Sequence, residues 1–126
     1  MRQFQQIVFD GFVYGTDTVY SDAAYNDLVG SVNQLGIHAL ASEISGTSPT
    51  LTVDVETSSN QLNWHSKFAT SKPINAASLT AATGRSHYGQ DTGSSPSLGF
   101  CRLAISLGGT TPTARLKIAV CGRSSG

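Results

Sequence analysis

The chain has 126 residues, 39% of them hydrophobic and only 13% charged, with 8 Lys+Arg against 8 Asp+Glu. That length fits one domain with its own core, folding without a metal or a disulfide mesh. Zero formal net charge excludes the surplus of cations that nucleic-acid and anionic-membrane binding demand, and no apolar run approaches the roughly 18 residues that span a bilayer.

The amino-terminal MRQFQQ has no apolar stretch of the kind that directs secretion, so either export is absent or a signal has already been removed; a soluble protein, made in the cytoplasm without a signal peptide, is the expectation. The composition includes 17 Ser, 13 Thr and 13 Gly but only three Lys, two Glu and one Met, which favours strands joined by polar turns over helices. The charges are unevenly placed. Residues 1–63 carry Arg2 against seven acidic residues, a net −6, and residues 64–126 carry seven basic residues against Asp91, a net +6. Acidic and basic strands lying side by side in one sheet account for this; the alternative is an acidic face of one copy meeting a basic face of the next.

In chain order, Phe4, Ile7, Val8, Phe9 and Phe12 crowd the first 15 residues, which read as two short strands or an extended arm. Apolar residues at that density are expected to pack against another subunit or a larger shell. Ser21-Asp22 is a helix-capping pair, so residues 22–29 read as at most one short helix ended by Gly30, or else as a loop. From Leu35 to Ile44 both faces carry apolar residues, as in an inner strand, which SGTSP at 45–49 then breaks. Thr50 to Thr57 alternates Leu51, Val53 and Val55 against Thr52, Asp54 and Glu56, predicting a strand with one wet face. A turn over 58–61 and the return through Leu62 and Trp64 complete a hairpin. One further strand is expected around Ser78 to Thr83, and 84–97 as a long exposed loop.

The closing segments each alternate: Cys101, Leu103, Ile105 and Leu107 in the first, Leu116, Ile118 and Val120 in the second. The intervening GGTTP at 108–112 predicts a hairpin turn between them. Registering both apolar faces into one core turns Cys101 inward and Cys121 outward, so the two should not bridge, because a disulfide needs Cβ atoms about 4 Å apart.

Reactive constellations are not evident. There is no G-x-S-x-G, and His38, His65 and His87 lack metal-ligand spacing. Asp54 and Glu56 lie two apart on one strand face, where carboxylates are usually solvated rather than facing each other across a cleft. No catalytic, metal or cofactor residue is assigned, and the chain is expected not to be an enzyme. Trp64, with Tyr14, Tyr20, Tyr25 and Tyr88, supplies rings on which a sugar can stack; against this stands a Trp64 packed at the rim of the core.

The segment from Leu51 to Trp64, LTVDVETSSNQLNW, resembles a pattern of small tailed-phage virion proteins in which an alternating strand ends in an acidic residue, a Ser-Asn turn and an Asn-Trp pair. The preceding Ser45 to Thr50 and the closing segments with Arg102 and Arg115 to Arg123 are similar to the rest of that pattern, so the resemblance covers roughly residues 35–123. Asn60-Gln61 stands where the usual turn carries Asp-Gly. The resemblance implies a capsid decoration or cement protein that works as a homo-oligomer. Its partners would be the major capsid protein and copies of itself, and its location the virion surface.

The sequence therefore reads as an all-β, antiparallel, jelly-roll-like β-sandwich of about eight strands in a single domain. The function expected is non-enzymatic phage head decoration, with subunit or shell contacts at Phe4, Ile7, Val8, Phe9 and Phe12. The alternative is a carbohydrate-binding module or receptor-binding fibre domain using exposed Trp64 and Tyr88.

Overall fold

Two strands of 25 residues organise the molecule. In a computed structural model that describes residues 2–21, 34–66, 72–79, 86–91 and 100–124, seven strands follow one another: β1 (Arg2–Tyr14), β2 (Val19–Tyr20), β3 (Gln34–Ser58), β4 (His65–Ser66), β5 (Ile74–Ser78), β6 (Ser86–Asp91) and β7 (Phe100–Ser124). All pairings are antiparallel, and no helix occurs among the described residues. The helix expected over 22–29 lies outside them.

The long strands β3 and β7 pair along their whole length, from Gln34 opposite Arg123 to Ser58 opposite Phe100. Period-two patterning explains why: Leu51, Val53 and Val55 meet Leu107, Ile105 and Leu103 in one half, and Ile37, Ala39 and Ala41 meet Val120, Ile118 and Leu116 in the other, all buried. Fully burying each large aliphatic side chain contributes about 1.5–3 kcal/mol. Both halves turn these side chains into a single hydrophobic cluster, so the sheet folds over itself into a two-layered, jelly-roll-like β-sandwich around one core.

The fold line is where the register of β3 against β7 slips, between Ser42 and Thr50. Glu43, Gly46 and Ser48 on β3 and Gly109 and Thr111 on β7 all have positive φ, the signature of bulges that bend and twist a strand pair. A Cβ at Gly109 would stand 2.6 Å from the Thr47 carbonyl oxygen, and its φ is +108°. The glycine is therefore needed twice over, for conformation and for close approach. This corrects two expectations. SGTSP does not end the strand, and GGTTP is not a hairpin turn: both are corners in continuous strands. The physical reason is that β3 lies alongside both halves of β7, so the chain has no need to reverse to find a partner.

One layer is completed by β1, paired with the second half of β7 from Arg2 opposite Ser124 to Tyr14 opposite Thr113 with a bulge between Ile7 and Phe9, and by β6, paired with Leu35 to Leu40 of β3. The amino-terminal segment is thus one strand of the chain's own sheet. Ser86–Asp91, expected within an exposed loop, is instead β6; its Ser, His and Gly content hides a strand that β3 pairing imposes. The other layer is completed by β2 beside Ala104 and Ile105 of β7, and by β4 and β5 beside the second half of β3. The strand expected around 78–83 lies earlier, at β5, with Leu79 buried after it; residues 80–83 fall outside the described set. Cys101 is buried, Cys121 is partly exposed, and both thiols are free.

Candidate functional site

Each layer has an outer face, and the two faces differ in chemistry. On the layer of β2, β7, β3 and β4, Arg102 stands opposite Glu56 and donates from Nε to Glu56 Oε1 at 2.8 Å. Its guanidinium carbon also lies 3.7 Å from the centroid of the Tyr20 ring and 4.2 Å from that of Trp64, distances at which a cation is attracted by an aromatic face.

Local structure fixes each member of this group. Tyr20 is placed by β2, which is tied down where Ser21 N–H donates to the Leu103 carbonyl and Leu103 N–H donates to Ser21 Oγ. Trp64 follows a turn built by two side chains. Ser58 Oγ accepts from the backbone N–H of Asn60 and Gln61, and Asn60 Oδ1 accepts from the N–H of Leu62 and Asn63. Such turns substitute side-chain oxygens for backbone acceptors and set the chain direction. Leu62, expected to resume the apolar pattern, is 82% exposed.

Beside this group, Asp54 Oδ2 accepts from Ser66 Oγ at 2.6 Å and from Lys72 Nζ at 3.0 Å. Asp54 is buried, which corrects the expectation that the polar face of this strand is simply wet. Alternation tells which way a side chain points but not what lies over it, and here β4 and Lys72 do. The second oxygen, Oδ1, has no hydrogen-bond partner.

The outer face of the layer of β1, β7, β3 and β6 is broader. Phe12 and Tyr14 stack with ring centroids 5.6 Å apart, and Leu40 and Tyr88 are exposed. Tyr88 stands opposite His38 and leans across Gly36, while His38 Nε2 is 3.0 Å from Ser86 Oγ. Asp10 and Arg115 form an exposed ion pair at 3.6 Å, and with Leu40, Glu43 and Lys117 they line a shallow groove of about 400 Å³.

The residues singled out for contact divide accordingly. Val8 and Phe9 pack against the core, Ile7 and Phe12 face outward, and the Phe4 backbone pairs with Gly122. Trp64 and Tyr88 do not share a platform, because they lie on opposite outer faces. Trp64 and Tyr20 instead both hold the Arg102 guanidinium, whereas Tyr25 lies outside the described residues. The sequence pattern assigns neither Arg102 nor Glu56 to a site. Both sit at outward positions of alternating strands, but nothing local shows that residues 46 apart are cross-strand neighbours.

No family model matches the chain, and no curated protein matches it in sequence. Solved structures match in fold. The CBM22-1 xylan-binding domain from Paenibacillus barcinonensis is similar at a TM-score of 0.53 and 12% identity, over 90% of this chain and 93% of that one. A chain of the cyanophage Pam1 capsid asymmetric unit is similar at a TM-score of 0.52 and 17% identity, over 94% and 84%. The Clostridium thermocellum xylanase 10B structure holding CBM22-1 and GH10 modules is similar at 0.53 and 11%, over 98% of this chain and 25% of that one. At these identities the likeness is one of architecture, a jelly-roll sandwich that carbohydrate-binding and capsid proteins both use.

Proposed function

We propose that this protein is a non-enzymatic structural component of a virion, a decoration protein that binds the surface of a phage head and neighbouring copies of itself. The observation that carries this reading is the outer face of the β1, β7, β3 and β6 layer, where Phe12, Tyr14, Leu40 and Tyr88 stay exposed around the charges of Asp10, Glu43, Arg115 and Lys117. Exposed aromatic groups interleaved with charge mark contact surfaces, the rings supplying affinity and the charges orientation. The free edge of β1, which among the described residues pairs only with β7, adds a row of backbone groups available to a neighbour. A chain in a cyanophage capsid has the same architecture.

The test is sedimentation of the purified protein with undecorated heads. Wild-type protein is expected to copurify at fixed stoichiometry, and the double variant Phe12→Ser with Tyr88→Ser to bind at least about tenfold more weakly while remaining folded. Absence of the wild-type protein from the particle fraction, or unchanged binding by the variant, would reject the assignment. A second reading, carbohydrate binding, is favoured by the Arg102 cluster on the opposite face.

A further inference from the structure

Arg102 is immobilised from three directions, by Glu56 at its Nε and by the Tyr20 and Trp64 rings. Its Nη groups nonetheless have no protein acceptor among the described residues, and the side chain remains 21% exposed. Glu56 is 19% exposed, and its second carboxylate oxygen likewise has no protein donor there. A pre-oriented donor edge therefore stands beside a pre-oriented acceptor, within reach of solvent. Fixing such groups before a ligand arrives removes the ordering cost that weakens most polar contacts.

The charge balance narrows what this arrangement takes. Arg102 is compensated by Glu56, and Lys72 by Asp54, so the site offers an anion little net attraction. A neutral ligand that presents one donor and one acceptor on adjacent atoms fits the hydrogen-bonding edge, and a C–H surface beside them fits the ring faces turned away from the guanidinium, Tyr20 being 47% exposed. The vicinal diol of a pyranose has that form.

We propose that Arg102, Glu56, Tyr20 and Trp64 form a subsite for a neutral sugar, in which one hydroxyl donates to the Glu56 carboxylate and its neighbour accepts from the Arg102 Nη groups. The proposal deepens the carbohydrate-binding reading and is independent of shell binding, which uses the other face. A decoration protein with this subsite holds glycan at the particle surface.

Trp64 is the single tryptophan of the chain, so its fluorescence reports on this subsite alone. The full-length protein is titrated with neutral hexasaccharides of glucose, xylose, mannose and galactose, and with a uronic-acid hexasaccharide and inorganic phosphate as charged controls. At least one neutral hexasaccharide is expected to shift the emission with a Kd between about 10 μM and 1 mM. Arg102→Lys, which keeps the charge and loses the planar fork, is expected to weaken binding about tenfold or more. Glu56→Gln, nearly isosteric, provides the same test should Arg102→Lys fail to fold, and Tyr88→Ala should bind sugar as wild type does. No response to any neutral hexasaccharide at about 10 mM by folded protein, a response to the charged ligands only, or undiminished binding by folded Arg102→Lys or Glu56→Gln would each overturn the proposal. Head sedimentation run on the same samples separates this failure from failure of the decoration reading.

Discussion

Gln61 shows how a single residue can carry strain inside a well-made turn. Its φ is +61°, in the left-handed region that costs a residue with a Cβ about 1–2 kcal/mol. Around it the Ser58 and Asn60 side chains hold four backbone N–H groups, which keeps the turn in place despite the strain. Gln61→Gly is expected to relieve it and, after the extra entropy that glycine gives the unfolded chain, to stabilise the fold by about 0.5–1 kcal/mol. That corresponds to a rise in Tm of roughly 3 °C, read by differential scanning calorimetry. The turn itself was legible in the sequence from its Ser and Asn content, and the departure from Asp-Gly marked the strained position. Asp54 was not legible in the same way: its outward direction followed from alternation, but its burial under Ser66 and Lys72 depends on segments 12 and 18 residues away.

At the scale of elements, the corner of β3 and β7 decides the topology. Gly-Gly followed by Thr and Pro suits a chain reversal and a bend equally well, because both need positive φ and a backbone free of Cβ. What separates them is which strand lies alongside, and that is a non-local fact. The corner makes a specific demand on Gly109. Adding a Cβ 2.6 Å from the Thr47 carbonyl oxygen at a φ of +108° forces β3 and β7 apart, so Gly109→Ala is expected to destabilise by about 2–4 kcal/mol. Urea denaturation should show a lower midpoint with an unchanged slope. A hairpin tip at this position, exposed and with no strand across it, would tolerate the alanine far better. The same substitution therefore discriminates a corner from a turn. β6 illustrates the converse: Ser86–Asp91 shows no apolar alternation, and pairing with β3 makes it a strand.

For the molecule as a whole, one core serves both layers. Ile105 is fully buried opposite Val53 and belongs to the same cluster as Ile118 and Ile37. Ile105→Ala is expected to cost about 2–5 kcal/mol, with fluorescence and far-ultraviolet circular dichroism reporting one coincident transition, because neither layer has a separate core to retain. The opposite charges of the two halves of the sequence also resolve at this scale. Asp54 with Lys72, Glu56 with Arg102 and Asp10 with Arg115 each join an acidic residue of the first half to a basic residue of the second within one chain. The segregation thus has an intramolecular use, in line with acidic and basic strands lying side by side.

The sequence by itself determined the all-β class, the inward faces of the main strands and the turn at 58–61 ahead of Trp64, because side-chain alternation and turn chemistry are local properties of the backbone. Only the tertiary structure decided that the two long strands run continuous through a shared corner, that β1 and β6 join the sheet, and that Arg102 meets Glu56, Tyr20 and Trp64. Those outcomes rest on pairings between segments dozens of residues apart, and the spacing of side chains along a strand carries no information about which strand will lie beside it.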